Sequence, residues 1–320
     1  QAYLEMTGKA DEEEDPSAKM EAVPAVASLR VPAMKADDAL VALPHGRAMD
    51  PLDTQYDKYE CVPCHNATLA RYRPHAYIIG VQKGGTSALR NYLNDHPDVA
   101  VGKKEESQVL NMRYSKARDR EDAGRIDQCR ILQLYQEWYQ ESGSIDAVER
   151  GLKYIDKTPR YLVASHMVPQ RLLCGDPDPK LLVVLRNPVD RAYSAYNMYK
   201  QTFDMGRRDD YLLNHSVGVK NGMFPSFEDD VPLEKSRLAE TGLLDFTMTP
   251  AEEYEAWAEA SSIHRYIMPG LHHIQLRQWL AVLRDHFGPD KMMDHILIME
   301  SEADRENKQG MYDRVLDFLD

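Results

Sequence analysis

The chain has 320 residues with an ordinary hydrophobic fraction of 43%, enough for one large α/β domain or two smaller ones. Its formal net charge of −13 argues against a general nucleic-acid-binding protein, although a local basic cleft could still hold an anionic ligand. No uninterrupted apolar segment approaches the ~20 residues that a helix needs to cross a bilayer.

Residues 1–50 combine an acidic run, ADEEEDPS, with repeated Ala, Val and Pro and no sustained periodicity. This composition predicts a stem or linker that is largely disordered, with an extension that decorates the fold as the alternative. Residues 51–320 are predicted to form the folded domain. The chain begins with Gln1 rather than Met, so we expect that a targeting segment was removed, and a chain without such a segment is the alternative.

Short apolar runs alternate with helical patterns along the rest of the chain. Four runs are typical of buried parallel strands: HAYIIGV, LKYID, KLLVVLR and DHILIME. Three segments have helical periodicity: TSALRNYLNDH, PVDRAYSAYNMYKQ and HHIQLRQWLAVLRDHFG. Asn187 is the expected cap of the second helix, and Pro188 occupies its first turn. The alternation predicts an α/β fold in which helices flank a central, mostly parallel sheet.

The GVQKGGTSAL stretch, between the first strand and the first helix, is predicted to bind phosphate. Gly84 and Gly85 let backbone N–H groups approach phosphate oxygens, and the helix offers its positive N-terminus. Thr86 and Ser87 add hydroxyl donors. Lys83 precedes both glycines, whereas the usual nucleoside-triphosphate loop has its lysine just before the Ser/Thr. A plain tight turn is the alternative, but the adjacent cation favours an anion site.

Arg186 ends the most apolar strand, and Ser194 lies eight residues later, early on the next helix. A guanidinium at a strand end and a hydroxyl near a helix start can hold one phosphate between them. A helix-capping or ion-pairing role at the sheet edge is the alternative for Arg186. Because an arginine next to five apolar residues is costly without an anion, we favour the binding site.

Two further charged segments occur where they can face the phosphate-binding loop. The KKEE run, Lys103–Glu106, follows the first helix, so one of its carboxylates could face back over the loop, and a solvated charge cluster is the alternative. Lys157 ends the LKYID strand just before Thr158 and Pro159. Open α/β sheets bind ligands at the carboxyl ends of strands, although Lys157 alone would be interpreted as a surface lysine.

The chain contains four cysteines: Cys61, Cys64, Cys129 and Cys174. An even number permits two disulfides without showing their pairing. CVPCH matches the c-type haem pattern, but no second axial ligand is recognisable nearby, so we expect a cystine-stabilised or free-thiol loop. Structural zinc would need more ligands close in sequence, and we expect no metal. Sequons at Asn66 and Asn214 are compatible with a secretory route.

Together, and in this order, QKGGTSAL, KKE, DKTP and RNPVDRAYSAY resemble the sulfotransferases that use 3′-phosphoadenosine 5′-phosphosulfate (PAPS). The Golgi heparan sulfate N- and 3-O-sulfotransferases are the most similar type, from about Tyr77 to the end of the chain. The resemblance implies a P-loop-containing, sulfotransferase-like fold and PAPS as co-substrate without a metal. It also implies a glycosaminoglycan-like acceptor, no nucleic acid, and a Golgi-lumen type II membrane protein whose anchor lies outside this chain.

The resemblance implies that Lys83–Ser87 hold the 5′-phosphosulfate and that Arg186 and Ser194 clasp the 3′-phosphate. Lys83 would stabilise the charge that develops on the leaving group, where an interaction lowers the barrier. The family's catalytic glutamate, the general base, falls on Glu105 without gaps and on Glu106 if the chain is shifted by one residue. Lys157 matches the lysine that accompanies this glutamate.

Three features depart from the family pattern. ESQVL replaces the His and aromatic residues that follow the glutamate, Asp156 replaces a glutamate, and His272 replaces a tyrosine. The chain also stops before the basic loop that closes over the donor in relatives, so we expect a C-terminal truncation. The alternatives are therefore a catalytically impaired glycan- or nucleotide-binding relative and, third, a phosphotransferase. Residues 204–250 have an irregular pattern and are predicted to form an insertion that lines the acceptor cleft.

Overall fold

The computed structural model describes residues 59–102, 106–117, 124–206, 223–244, 247–260, 266–302 and 307–320. The predicted stem over residues 1–50 and its boundary with the folded domain lie outside these ranges and stay predictions. Glu105 and the sequon at Asn214 also lie outside the described residues.

Five parallel strands form the central sheet, in the order β3-β5-β2-β6-β7. They are β2 (Ala76–Gly80), β3 (Val99–Ala100), β5 (Lys153–Lys157), β6 (Leu181–Leu185) and β7 (Ile296–Glu300). A separate parallel pair joins β1 (Glu60–Val62) to β4 (Arg125–Asp127). The four predicted strands correspond to β2, β5, β6 and β7. The two-residue β3 and the β1–β4 pair were missed because they are too short to produce a periodic pattern.

Helices cover both faces of this sheet, as the alternation of patterns predicts. Their bounds are α1 Ala67–Ala70, α2 Thr86–Asn94, α3 Tyr114–Ala117, α4 Gln128–Ser142, α5 Ile145–Glu149, α6 Arg160–Val163, α7 Val168–Gly175, α8 Pro188–Asp204, α9 Phe227–Glu240, α10 Pro250–Ala260, α11 His272–Phe287 and α12 Lys308–Leu319. A π-helical turn covers Val109–Arg113, and 3₁₀ turns cover Met268–Gly270 and Met292–Asp294. None of the described helices is long and apolar enough to cross a membrane.

The two faces of the sheet build separate apolar clusters, because side chains alternate along a strand. Leu181 and Val183 on β6 join the cluster beneath α4, α7 and α11, whereas Leu182 and Val184 join the cluster beneath α2 and α12. Burial on both faces explains why the central strands are continuous apolar runs rather than alternating ones. The prediction of a helix-flanked parallel sheet is confirmed.

Two disulfides attach the N-terminal strand to the helical layer. They join Cys61 to Cys174, in α7, and Cys64 to Cys129, in α4. All four cysteines are thereby paired, which excludes a thioether link to haem at CVPCH. Within the described part of the chain, no group of three or more His, Cys, Asp or Glu side chains could hold a metal ion.

The irregular pattern over residues 204–250 conceals a helix in its second half, and the insertion that lines the acceptor cleft stays a prediction. Residues 227–240 form α9, which begins at Ser226, whose hydroxyl accepts a hydrogen bond from the Asp229 N–H at 3.1 Å. Pro232 lies inside this helix and obscured its pattern in the sequence. Residues 207–222 lie outside the described ranges.

Candidate active site

The phosphate-binding loop joins β2 to α2 in the way the sequence predicts. Gly85 has a φ of 106° and precedes α2, which leaves the first N–H groups of this helix free of any side-chain cap. A Cβ at Gly84 would lie 2.4 Å from the Val184 carbonyl oxygen and 2.9 Å from that of Val81, so only glycine fits. Lys83 has a φ of 69°, unusual for a residue with a side chain. Thr86 is buried at the start of α2, whereas Ser87 is exposed.

Arg186 contacts this loop directly. Its Nη1 donates a hydrogen bond to the Lys83 carbonyl at 3.1 Å, and its Nε lies 3.8 Å from the Glu302 carboxylate. The same carboxylate faces the Asn187 N–H at 3.4 Å. The two predicted clusters therefore lie side by side. The sequence alone did not identify Glu302 as a partner, because it lies more than 100 residues further along the chain.

A buried arginine connects helix α8 to the start of the loop. Asn187 caps it as predicted, accepting from the Val189 N–H at 2.9 Å. Arg191 is fully buried and donates to the Gln82 carbonyl at 3.4 Å and to the Tyr266 carbonyl. Ser194 lies three residues beyond Arg191 and hence on the same side of the helix. Ser194 is half-buried. Nothing in the sequence had marked Arg191 as the residue that anchors this helix.

An ion pair lies at the end of the neighbouring strand. Lys157, the last residue of β5, is 4% exposed, and its Nζ lies 3.8 Å from Glu106 Oε1. The other carboxylate oxygen of Glu106 accepts a hydrogen bond from Gln108 Nε2 at 2.5 Å. A nearly buried ammonium needs such a partner because removing a charge from water is costly. Two glutamates, Glu105 and Glu106, were candidates for the general base. Glu106 lies against Lys157, whereas Glu105 is outside the described residues.

Strand order brings these groups to one edge of the sheet. β2 lies between β5 and β6, and all three strands are parallel, so Lys157, the phosphate-binding loop and Arg186 all follow carboxyl ends at the same edge. Lys157 pairs with Ile78, two residues before the end of β2. Open parallel sheets bind their ligands at this position. This edge therefore combines the loop that is predicted to bind phosphate with a lysine–carboxylate pair.

His272 begins α11 close to Arg191. Burial, together with the charges of Arg191 and His273, lowers the pKa of His272 to about 4. Within the described part of the chain, its Nε2 has no hydrogen-bond partner. The imidazole is therefore neutral near pH 7, so it offers a hydrogen bond rather than a positive charge at the position where a tyrosine is expected in relatives.

Comparisons with known proteins show which family this chain resembles. The family model of the sulfotransferase domain matches residues 73–320. Mouse (Mus musculus) heparan sulfate glucosamine 3-O-sulfotransferase 3B1 is 32% identical over 221 residues, which are 68% of this chain and 43% of that protein. The human (Homo sapiens) bifunctional heparan sulfate N-deacetylase/N-sulfotransferase 1 is 33% identical over 129 residues, 38% of this chain and 12% of that protein.

A further relative is mouse heparan sulfate glucosamine 3-O-sulfotransferase 6, 37% identical over 124 residues, 38% of this chain and 30% of that protein. The matched segments thus span less than half the length of these curated relatives. A solved sulfotransferase from Alicyclobacillus acidocaldarius shares 23% identity with a TM-score of 0.46, covering 77% of this chain and 81% of that one. Because the family model covers more than three quarters of its length, the chain belongs to the sulfotransferase domain family.

Proposed function

We propose that the protein transfers a sulfuryl group from PAPS to a hydroxyl or amino group of a glycan. The observation that carries this proposal is the single sheet edge at which the phosphate-binding loop, Arg186 and the Lys157–Glu106 pair meet. Neither cluster alone would distinguish this reaction from simple anion binding. Together they supply one group of residues for the donor and another for the proton of the acceptor.

The loop residues fit a doubly phosphorylated adenosine. Glycine at position 84 lets the loop pack closely against the backbone of β6, and the uncapped start of α2 offers N–H donors to a 5′-phosphate. Lys83, Gly85, Thr86 and Ser87 complete this half. Arg186 and Ser194 would hold the 3′-phosphate, with Arg186 leaving Glu302 for the more strongly charged partner.

Glu106 is proposed as the general base in preference to Glu105. Its contact with Lys157 holds its carboxylate at the sheet edge, where it can take the proton of the acceptor hydroxyl or amine. The bound donor supplies the sulfuryl group and a phosphate leaving group. Lys83 and the N-terminus of α2 stabilise the negative charge that develops on the leaving phosphate. This interaction is stronger in the transition state than in the bound donor, so it lowers the barrier.

The acceptor is proposed to be a glycosaminoglycan-like glycan. The names of the relatives support this class, since three of them act on heparan sulfate. They include both O- and N-sulfotransferases, so oxygen and nitrogen acceptors are both included in the proposal.

A lumenal, Golgi location of a type II membrane protein is proposed on the basis of the two disulfides, which persist in oxidising compartments. We propose in addition that Asn66 carries an N-linked glycan. Asn66 is exposed and directs its Oδ1 to the Thr68 N–H at 3.0 Å, and Thr68 is also exposed. In protein secreted from eukaryotic cells, the glycosidase-sensitive mass at this site should vanish in Thr68→Ala and persist in Thr68→Ser. Unmodified Asn66 in the wild type would contradict the proposed compartment.

The test of the reaction is transfer from radiolabelled PAPS to a panel of desulfated and N-deacetylated heparans. Glu106→Gln should lower kcat by about 10²–10⁴-fold, because it removes the base while keeping the size of the side chain. Affinity for adenosine 3′,5′-bisphosphate should not change in this variant. Glu105→Gln is the matched comparison, and a loss of kcat confined to that variant would transfer the assignment to Glu105. Donor binding without transfer by the wild type would identify a non-catalytic relative.

A further inference from the structure

Asp156 carries a buried carboxylate that the proposed reaction does not use. It is fully buried on β5, directly before Lys157. Hydroxyl groups alone surround its oxygens among the described hydrogen bonds: Ser107, Thr158 and Tyr135 at 2.8 Å each, and Tyr161 at 3.0 Å. Burial raises the pKa of Asp156, and the hydroxyl donors oppose this rise. A carboxyl group in this position is costly, so its retention calls for a function.

Three of these hydroxyls also hold the backbone that follows Glu106. Thr158 Oγ1 accepts from the N–H groups of Ser107 at 3.2 Å and Gln108 at 3.3 Å. The next two N–H groups go to the other hydroxyls: Val109 to Ser107 Oγ at 3.3 Å and Leu110 to Tyr161 at 3.0 Å. Four consecutive amides after Glu106 are thus held by oxygens that donate to Asp156.

The carboxylate decides the direction of all these hydrogen bonds. An ionised carboxylate only accepts, so each surrounding hydroxyl turns its hydrogen toward Asp156 and leaves its lone pairs for the backbone amides. The turn needs this support because Gln108 has a φ of 54°, in the left-handed region that side chains disfavour. Gln108 in turn donates to the Glu106 carboxylate at 2.5 Å.

We propose that Asp156 is a positioning residue that fixes the turn over residues 107–110 and thereby holds Glu106 against Lys157. This inference rests on the proposed function for its catalytic consequence, but its structural part does not. Asp156 touches neither substrate in this scheme. It acts through Ser107, Thr158 and Tyr161 on the residue that takes the proton.

The discriminating pair of variants is Asp156→Asn and Tyr135→Phe. Asparagine keeps the shape but presents an NH₂ donor, so at least one hydroxyl must reverse and release its backbone amide. Tyr135 donates to Asp156 and accepts from none of the four amides in the described hydrogen bonds, so phenylalanine removes a donor to the carboxylate without removing an acceptor from the turn. Asp156→Asn should lower kcat by about 10²-fold through misplacement of Glu106, with the KM for PAPS unchanged. Tyr135→Phe should leave kcat close to that of the wild type.

Amide hydrogen exchange measures the protection of the turn over residues 107–110 independently of the transfer reaction. In Asp156→Asn, the amides of residues 107–110 should exchange about tenfold faster or more, while those of β2 and β6 keep their protection. Tyr135→Phe should leave the exchange rates of residues 107–110 unchanged. If Asp156→Asn fails to fold, Thr158→Val and Thr158→Ser replace it: valine should release the amides of Ser107 and Gln108 and lower kcat, and serine should restore both.

Equal effects of Asp156→Asn and Tyr135→Phe on kcat and exchange would overturn the inference, because the carboxylate would then be only a buried polar group. Unchanged protection of residues 107–110 in Asp156→Asn would do the same. If the wild type transfers no sulfuryl group, the proposed function fails, and exchange alone then decides the structural part. A selective loss of protection at the turn supports it in that case.

Discussion

Replacing Gly84 with alanine tests how tightly the phosphate-binding loop packs against β6. The new Cβ would lie 2.4 Å from the Val184 carbonyl oxygen, and 2.9 Å from both the Val81 carbonyl oxygen and its Cγ1. Neither carbonyl can move freely: that of Val184 accepts the Val81 N–H at 3.0 Å, and that of Val81 accepts the Gly84 N–H at 2.8 Å. Relief of the overlap therefore breaks hydrogen bonds at the centre of the site.

The loss of stability in Gly84→Ala can be estimated from these contacts. Overpacking costs about 1–3 kcal/mol, and each weakened backbone hydrogen bond adds about 1 kcal/mol, so Gly84→Ala should lower the free energy of unfolding by about 3 kcal/mol. Gly151→Ala is the control, because Gly151 has a φ of 88° but no atom of the described residues beyond its chain neighbours lies within 4 Å of the position that a Cβ would take there. Strain from the left-handed backbone alone should cost about 1–2 kcal/mol in this variant.

Urea unfolding measures both values, provided that the m value is the same in the wild type and the two variants. Affinity for adenosine 3′,5′-bisphosphate should fall in folded Gly84→Ala and stay unchanged in Gly151→Ala. A free energy of unfolding for Gly84→Ala that is no lower than that of Gly151→Ala would refute the packing argument. The loop would then have space for a Cβ at position 84, contrary to the observed distances.

Two other properties should follow from the fold. Serine at both Cys61 and Cys174 should lower the free energy of unfolding by about 3–5 kcal/mol, because this disulfide closes a long loop in the unfolded chain even though the Cys64–Cys129 disulfide shortens that loop. Urea unfolding would measure the loss, and a value below about 1 kcal/mol would contradict the prediction. His272 has a pKa of about 4 in the fold and 6.5 when unfolded, so the unfolded chain binds the proton first and stability falls as the pH drops below 6.5. His272→Gln should remove about 2 kcal/mol of this loss between pH 7.5 and pH 5 in thermal unfolding, and identical pH profiles of wild type and variant would contradict the assigned pKa.

The sheet and the strand–loop–helix arrangement around Gly84 and Gly85 could be predicted because their signals are local. Apolar runs buried on both faces, followed by glycines and a cation, need no knowledge of distant residues. The cap of α8 was predictable for the same reason: Asn187 and Pro188 act within one turn of the helix. Strand order then brought the separate motifs to one edge.

Partners that are distant in sequence could not be predicted. Glu302 meets Arg186, and the hydroxyls of Tyr135 and Tyr161 converge on Asp156, only because the fold brings remote segments together. The choice between Glu105 and Glu106 could not be made from the sequence for a related reason. Counting residues assumes that the connection after β3 has the same length as in relatives, and a single inserted residue shifts the assignment by one.

The central claim is that the phosphate-binding loop and Arg186 with Ser194 hold opposite ends of one nucleotide. Calorimetric titration of adenosine 3′,5′-bisphosphate and adenosine 5′-monophosphate into the wild type, Arg186→Ala and Ser194→Ala tests it directly. The wild type should prefer the bisphosphate by about 10²-fold, since charge-assisted hydrogen bonds contribute about 1.5–3 kcal/mol each. Arg186→Ala should lose most of this preference while binding the monophosphate as before, and Ser194→Ala should lose part of it. Equal affinity of the wild type for both nucleotides, or an unchanged preference in Arg186→Ala, would contradict the account.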